Sequence, residues 1–126
     1  MRVYAYGVVS SSTLYRVRGA FPAPEGYAEI EDALHMTGGE AANSAIVLAR
    51  LGASVKLDGN WIGNDDGGRR TKALLDGFGI DTSRLPPRDA YQGVREVVFA
   101  AGNTRTIFGS YGALLDKEEW NWPREE

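Results

Sequence analysis

The sequence predicts an α/β fold: a parallel sheet with flanking helices, followed by a late β-hairpin. Three observations carry that expectation. An alanine-rich helix bracketed by glycines spans Thr37 to Gly52, strand-like and helix-like segments alternate around it, and two extended runs late in the chain have a hairpin pattern. Strand–helix–strand–helix order favours parallel pairing through crossover helices.

Val3 to Val9 is a β-branched and aromatic run, expected as a buried strand that opens the sheet and ends in the turn-prone Ser10-Ser11-Ser12. Thr13 to Val17 reads as a second short strand. Gly19 to Gly26 contains Pro22 and Pro24 as well as two glycines, so regular structure is not expected there. Tyr27 to Met36 is expected to be extended, with imperfect alternation. In the central segment Ala41, Ala42, Ala45, Leu48 and Ala49 favour a helix, and Gly52 stands where a left-handed cap residue belongs. Ala42, Ala45, Ile46 and Ala49 share one face, and its small side chains let a helix lie close to a sheet.

Ser54 to Ile62 is the next expected strand, with Val55, Leu57 and Gly59 alternating against Lys56 and Asp58. The acidic turn Gly63 to Gly68 then leads into a helix from about Gly68 to Gly77, capped by Asp65 or Asp66. Leu74 and Leu75 are expected to face inward and Phe78 to close over the helix, with Trp61 packing at the end of its strand. Gly93 to Ala100 and Thr104 to Gly109, joined by Ala101-Gly102-Asn103, predict a hairpin. In the charged tail, Trp120 and Trp122 are expected to cover a sheet edge. Two helices and one hairpin leave the outer faces of such a sheet short of cover, so the fold is expected to be incomplete on its C-terminal side.

At 126 residues the chain fits a single domain, 1–126, large enough to bury a core without disulfides or metals. Hydrophobic residues make up 43% and charged residues 25%, ordinary for a globular protein. Fourteen Lys and Arg against 17 Asp and Glu give a formal charge of −3 with no basic cluster. That argues against nucleic acid as a partner, since phosphate neutralisation needs concentrated cations. With no cysteine, thiolate catalysis and Cys-based zinc sites are excluded. The N-terminus lacks a long apolar run, so neither a signal peptide nor a membrane span is expected, and a cytoplasmic location is the default.

The entrance to the central helix is the chief candidate for binding. Gly38 and Gly39 carry no Cβ, so a ligand or another backbone can approach closely, and the first-turn N–H groups point outward there. Such a terminus suits a hydroxyl-rich or anionic ligand. Asn43, one turn in, offers both a donor and an acceptor. A glycine turn capped by solvent is the plainer alternative. His35, the single histidine, has no Cys or His partner and reads as a surface residue, or as a lid residue under the resemblance given below, rather than as a metal ligand or base. Asp65 and Asp66 lack further ligands at cation-site spacing, so capping is their expected role. Glycines 63, 67 and 68 match neither a Walker-type loop nor a dinucleotide fingerprint. Arg105, on the second hairpin strand, could reach a substrate phosphate or carboxylate if that strand lines a pocket.

Taken together, Gly38-Gly39-x-x-x-Asn43-x-Ala45, then Ala49-Arg50-Leu51-Gly52-Ala53, Gly63-x-Asp65-x-x-Gly68 and Leu75-x-x-Phe78-Gly79-Ile80-Asp81 form an ordered series. In this order the series resembles the N-terminal part of the ribokinase-like (PfkB) carbohydrate kinases, from about Val3 to about Leu115. The resemblance implies a sheet flanked by helices with a β-strand lid over a sugar site, the lid drawn from about residues 13–36 and 93–109. It implies that Gly38, Gly39 and Asn43 line the sugar pocket. It also places Ser10 and Ser12 in the loop after the first strand, where relatives grip sugar hydroxyls. Relatives commonly carry Asp where Ser12 stands, and serine is a shorter arm than a two-oxygen acceptor.

The same resemblance implies ATP and Mg2+ as cofactors of a complete protein acting on a sugar or nucleoside hydroxyl. The family's C-terminal Gly-Ala-Gly-Asp segment, whose Asp serves as base and whose N–H groups stabilise the transferring phosphate, is not found in this sequence. Phosphoryl transfer depends on those parts, so the chain alone is expected to be inactive. The alternative is a non-catalytic ligand-binding or dimerisation module derived from the kinase fold. Lid strands in the family often pair between subunits, which would make a homodimer.

Overall fold

The computed structural model describes residues 1–112. Trp120 and Trp122, and the sheet edge they were expected to cover, lie outside the described residues. Eight elements follow in order: β1 (Arg2–Gly7), β2 (Ser10–Val17), β3 (Ile30–Gly38), α1 (Glu40–Arg50), β4 (Ser54–Gly59), α2 (Asp66–Gly77), β5 (Arg95–Ala101) and β6 (Thr104–Ser110). They make a mixed α/β fold with two sheets.

The first sheet pairs β1 with β4 in parallel, Arg2 opposite Ser54 through Gly7 opposite Gly59. Single parallel bridges, Lys56 to Asp81 and Gly63 to Arg88, continue its far side. The second sheet has the order β3-β2-β5-β6. Its outer pairs are antiparallel and its central pair, β2 with β5, is parallel. Both neighbours of β2 are engaged from Ser10 or Ser11 onward. Ser10-Ser11-Ser12 is therefore strand rather than the expected turn and loop, because pairing on two sides outweighs the local preference of serine for turns.

Both helices end alike, and for the same reason. Leu51 is the C-cap of α1, Gly52 follows at φ 93°, and the N–H groups of Gly52 and Ala53 donate to the carbonyls of Ala49 and Leu48 at 3.0 Å each. Phe78, Gly79 (φ 75°) and Ile80 repeat the arrangement after α2, against the carbonyls of Asp76 and Leu75. This is the Schellman stop, which glycine makes without a Cβ penalty. At the other end of α2 the Asp65 carboxylate accepts from the Gly68 N–H at 2.8 Å, so Asp65 rather than Asp66 is the cap. Asp66 instead pairs with Arg69 at 2.7 Å.

The core is built around Val9, Val55 and Leu57, with Ala41, Ala42 and Ala45 of α1 on one side and Leu75 of α2, Ile62, Ile80 and Leu85 closing it. The alanines do what the spacing predicts. Leu75 is fully buried, but Leu74 is exposed and does not face inward. One turn angle separates adjacent helical residues, and only Leu75 lies on the buried stripe. Phe78 packs against the core as expected. Trp61 sits just past β4, with the Arg88 guanidinium 3.8 Å above its ring. The late hairpin forms through the two residues Gly102 and Asn103, with Gly102 at φ 60°.

Leu57, fully enclosed, is the most sensitive probe of this core. Leu57→Ala should cost about 2–5 kcal/mol in urea unfolding, whereas Asp65→Ala should cost about 1 kcal/mol through loss of the α2 cap.

Candidate functional site

The chain passes from the first sheet to the second within residues 7–9, and this crossing sets the site. The Asn60 side chain closes on Val9 from both sides, its Oδ1 accepting from the Val9 N–H and its Nδ2 donating to the Val9 carbonyl, each at 2.8 Å. Gly59 and Gly39 press on the same segment. A Cβ on Gly59 would lie 2.0 Å from the Gly7 carbonyl oxygen, and one on Gly39 would lie 2.2 Å from that of Val8. Gly39, at φ 95°, is the N-cap of α1. Gly38 is the last residue of β3, paired with Ser10. Of the two glycines, then, one ends a strand and the other starts the helix.

Alternation along β2 separates its serines. Ser10 and Ser12 are buried on one face of the second sheet. Ser11 and Thr13 lie on the other, where with Asp65, Asp66, Arg70 and Phe108 they line a cleft of about 630 Å³ beside α2. That cleft opens on the opposite side from Ser10 and Ser12, although Glu96 and Gly109 also border it.

On the Ser10 face the structure adds two residues that sequence reading missed, Glu96 and Tyr111. The Ser10 hydroxyl donates to Glu96 Oε1 at 3.1 Å, and the Tyr111 hydroxyl donates to Glu96 Oε2 at 2.5 Å. A Cβ on Gly38 would fall 2.2 Å from Glu96 Oε1 and 2.6 Å from Ser10 Oγ. The absent side chain of Gly38 is what leaves room for the carboxylate. Tyr111 folds back over Gly109, whose own Cβ would overlap its ring. Nothing in local spacing marks Glu96, since it stands in an ordinary strand run and meets Ser10 only through the β2–β5 pairing.

The remaining sequence candidates are placed as follows. Asn43 is exposed on the first turn of α1, its backbone N–H bonded to the Gly39 carbonyl at 2.9 Å. Arg105 lies opposite Ala100 near the hairpin tip, while Glu96 lies opposite Gly109. Four residues of strand separate them, roughly 13 Å, so Arg105 shares the face but not the cluster. His35 is exposed on β3, its Nδ1 3.3 Å from the Thr13 hydroxyl. Among the described residues no group of three or more His, Cys, Asp or Glu could hold a metal ion. Asp65 and Asp66 are committed to the helix cap and to Arg69, and these residues do not fit a magnesium site. No helix among the described residues is long and apolar enough to cross a membrane.

The hydrogen bond to Glu96, followed by burial and the nearby negative charge, raises the Tyr111 pKa above 10.0. The proton is therefore held more tightly in the folded chain, and this contribution to stability is present below pH 10.0 and lost as pH rises through the folded value. Ultraviolet titration should show one tyrosine moving back toward 10.0 in Glu96→Gln. The two glycines should also separate. Gly39→Ala meets a backbone carbonyl at positive φ and should destabilise the fold by at least about 1–3 kcal/mol. Gly38→Ala meets side-chain atoms, Glu96 Oε1 and Ser10 Oγ, rather than backbone, and should mainly displace Glu96, leaving the urea midpoint closer to wild type.

Comparison with known proteins gives this geometry a family. The chain superimposes on a candidate ribokinase from Agrobacterium tumefaciens with a TM-score of 0.84 and 26% identity, covering 98% of this chain and 40% of that one. A ribokinase from Cryptococcus neoformans var. grubii serotype A, solved with ADP, matches with a TM-score of 0.70 and 26% identity over 85% of this chain and 33% of that one. Arabidopsis thaliana ribokinase, solved with ribose and ATP, shares the fold at 18% identity and a TM-score of 0.70, over 85% of this chain and 35% of that one. The chain thus spans well under half the length of these structures. A profile of the pfkB family of carbohydrate kinases matches residues 5–123. With nearly its whole length matched, the chain belongs to the pfkB carbohydrate kinase family.

Proposed function

We propose that this chain is the substrate-binding N-terminal part of an ATP-dependent carbohydrate or nucleoside kinase, with its pocket formed by Ser10, Ser12, Gly38, Gly39 and Asn43. The observation that carries the reading is the convergence of β2, the end of β3 and the start of α1. Two buried serines, a Cβ-free turn and the first turn of a helix meet at one corner. Hydroxyl groups and a helix N-terminus without a side-chain cap in that arrangement suit a polyhydroxyl ligand. The second sheet serves as the lid, with Arg105 at its outer end.

Phosphoryl transfer in the complete protein needs a base to take the sugar proton and donors around the transferring phosphate. The Gly-Ala-Gly-Asp segment that would supply both is not in this sequence. The chain by itself binds and orients the substrate and carries out no transfer.

A second reading, a binding or dimerisation module, has one observation in its favour. Leu34, Met36 and Ile107 are exposed on one face of the lid sheet. A second copy laid on that face would cover them, giving a homodimer through the lid strands.

In a coupled assay with ATP and a panel of sugars and nucleosides, the purified chain should show no turnover. Calorimetry should show sugar binding that Asn43→Ala weakens at least about tenfold, the scale of a lost buried hydrogen bond. Turnover by the chain alone, abolished by Asn43→Ala, would sink the division of labour. Sedimentation that shifts from dimer to monomer in Leu34→Glu would favour the second reading.

A further inference from the structure

We infer that Glu96 sets the substrate class of this pocket, selecting neutral or amine-bearing polyols and rejecting sugar acids and sugar phosphates. The inference rests on the pocket reading given above and deepens it. Glu96 is half-buried on the central parallel strand pair, and its carboxylate reaches across to the Ser10–Gly38 corner. Each oxygen is held by a separate hydroxyl, Ser10 on Oε1 and Tyr111 on Oε2. A carboxylate offers about four acceptor positions, so two donors fix its place and leave capacity for ligand donors. Acceptors held this way discriminate strongly, because a ligand without a matching donor leaves them unpaired.

The charge around the corner points the same way. Both groups that hold Glu96 are neutral hydroxyls, so they position its charge without cancelling it. Glu40, in the first turn of α1 directly after Gly39, adds a second negative group to the entrance. The cations that alternation places on this face, Arg16 and Arg105, both lie opposite Ala100, roughly 13 Å further along the strands, and Arg16 pairs with Asp32 at 3.8 Å. An anionic ligand seated against Ser10 and Ser12 would meet the like charge of Glu96 first, since Arg70 and Arg95 line the cleft on the other face of the sheet, and such juxtaposition is strongly unfavourable. A hydroxyl or ammonium group in the same place would gain a charge-assisted hydrogen bond.

Glu96→Gln tests this with little change of shape, since the amide can keep both hydroxyl partners. Binding of ribose, fructose, glucosamine, ribose 5-phosphate and gluconate would be measured by calorimetry on the purified wild-type chain, Glu96→Gln and Asn43→Ala, at fixed ionic strength. The wild type should bind at least one of the first three about a hundredfold more tightly than ribose 5-phosphate or gluconate. In Glu96→Gln that sugar should bind about tenfold more weakly, and its advantage over the two anions should shrink by at least the same factor. A residue with a merely structural role would weaken all ligands alike and leave the ratio unchanged. Equal or tighter binding of the anions by wild type, or an unchanged ratio in Glu96→Gln, overturns the inference while Asn43→Ala still reports on the pocket. If the wild type binds none of the five, the pocket reading fails, and this inference fails with it.

Discussion

Everything about the site depends on how the chain is held as it leaves one sheet for the other. Val9 has no strand partner of its own at the crossing, so its buried N–H and carbonyl would each be left unsatisfied. Asn60 satisfies both with one side chain, imitating the edge of a strand. An unpaired buried backbone group costs on the order of 1–3 kcal/mol, so this amide supports both the stability and the path of the crossing. Gly39 and Gly59 complete the clamp by letting two other backbones come within reach of residues 7 and 8. Once Val9 is fixed, the register of β2 is fixed too. A slip of a single residue would exchange Ser10 and Ser12 for Ser11 and send the wrong hydroxyls to the site.

The two faces of the second sheet consequently differ in character. One carries Ser11 and Thr13 toward α2 and contains the aromatic row of Tyr15, Phe99 and Phe108, with rings 5.5 and 5.9 Å apart. The other begins with the polar cluster of Ser10, Ser12 and Glu96 and continues outward into Leu34 and Ile107, which are exposed. Polar at its base, apolar in the middle and charged again at Arg16, Asp32 and Arg105, that face is suited to hold a ligand at one end and to be covered further along.

Much of this was legible in the sequence, and the reason is local. The alanine stripe of α1, the glycine stops after both helices, the acidic cap and the hairpin are each decided within one or two turns of chain. Periodicity and capping chemistry report such features directly. The start of β2 was misread because serine's turn preference is a local signal, and it was overruled by partners from distant parts of the chain. Leu74 was misassigned because two adjacent leucines cannot both face one stripe, and the sequence does not say which does. Asn60 and Glu96 left no trace at all. Each acts on a residue more than fifty positions away, and an asparagine after a strand or a glutamate within one looks the same whether it is buried in a network or simply solvated.

The parallel pairing at the centre of the second sheet bears on how the molecule comes into being. Ser10 and Glu96 are 86 residues apart along the chain, and β2 cannot gain its inner neighbour until almost all of the described sequence has been made. Closing so long a loop costs entropy before any contact repays it, and folds dominated by such pairings are slow to form. The first sheet and α1 can assemble from contiguous chain, while β2 waits with one edge bare. On the ribosome the scaffold of this protein would therefore form well before the corner where Ser10, Gly38 and Glu96 meet. During that interval the open edge of β2 is the part most exposed to pairing with the wrong strand.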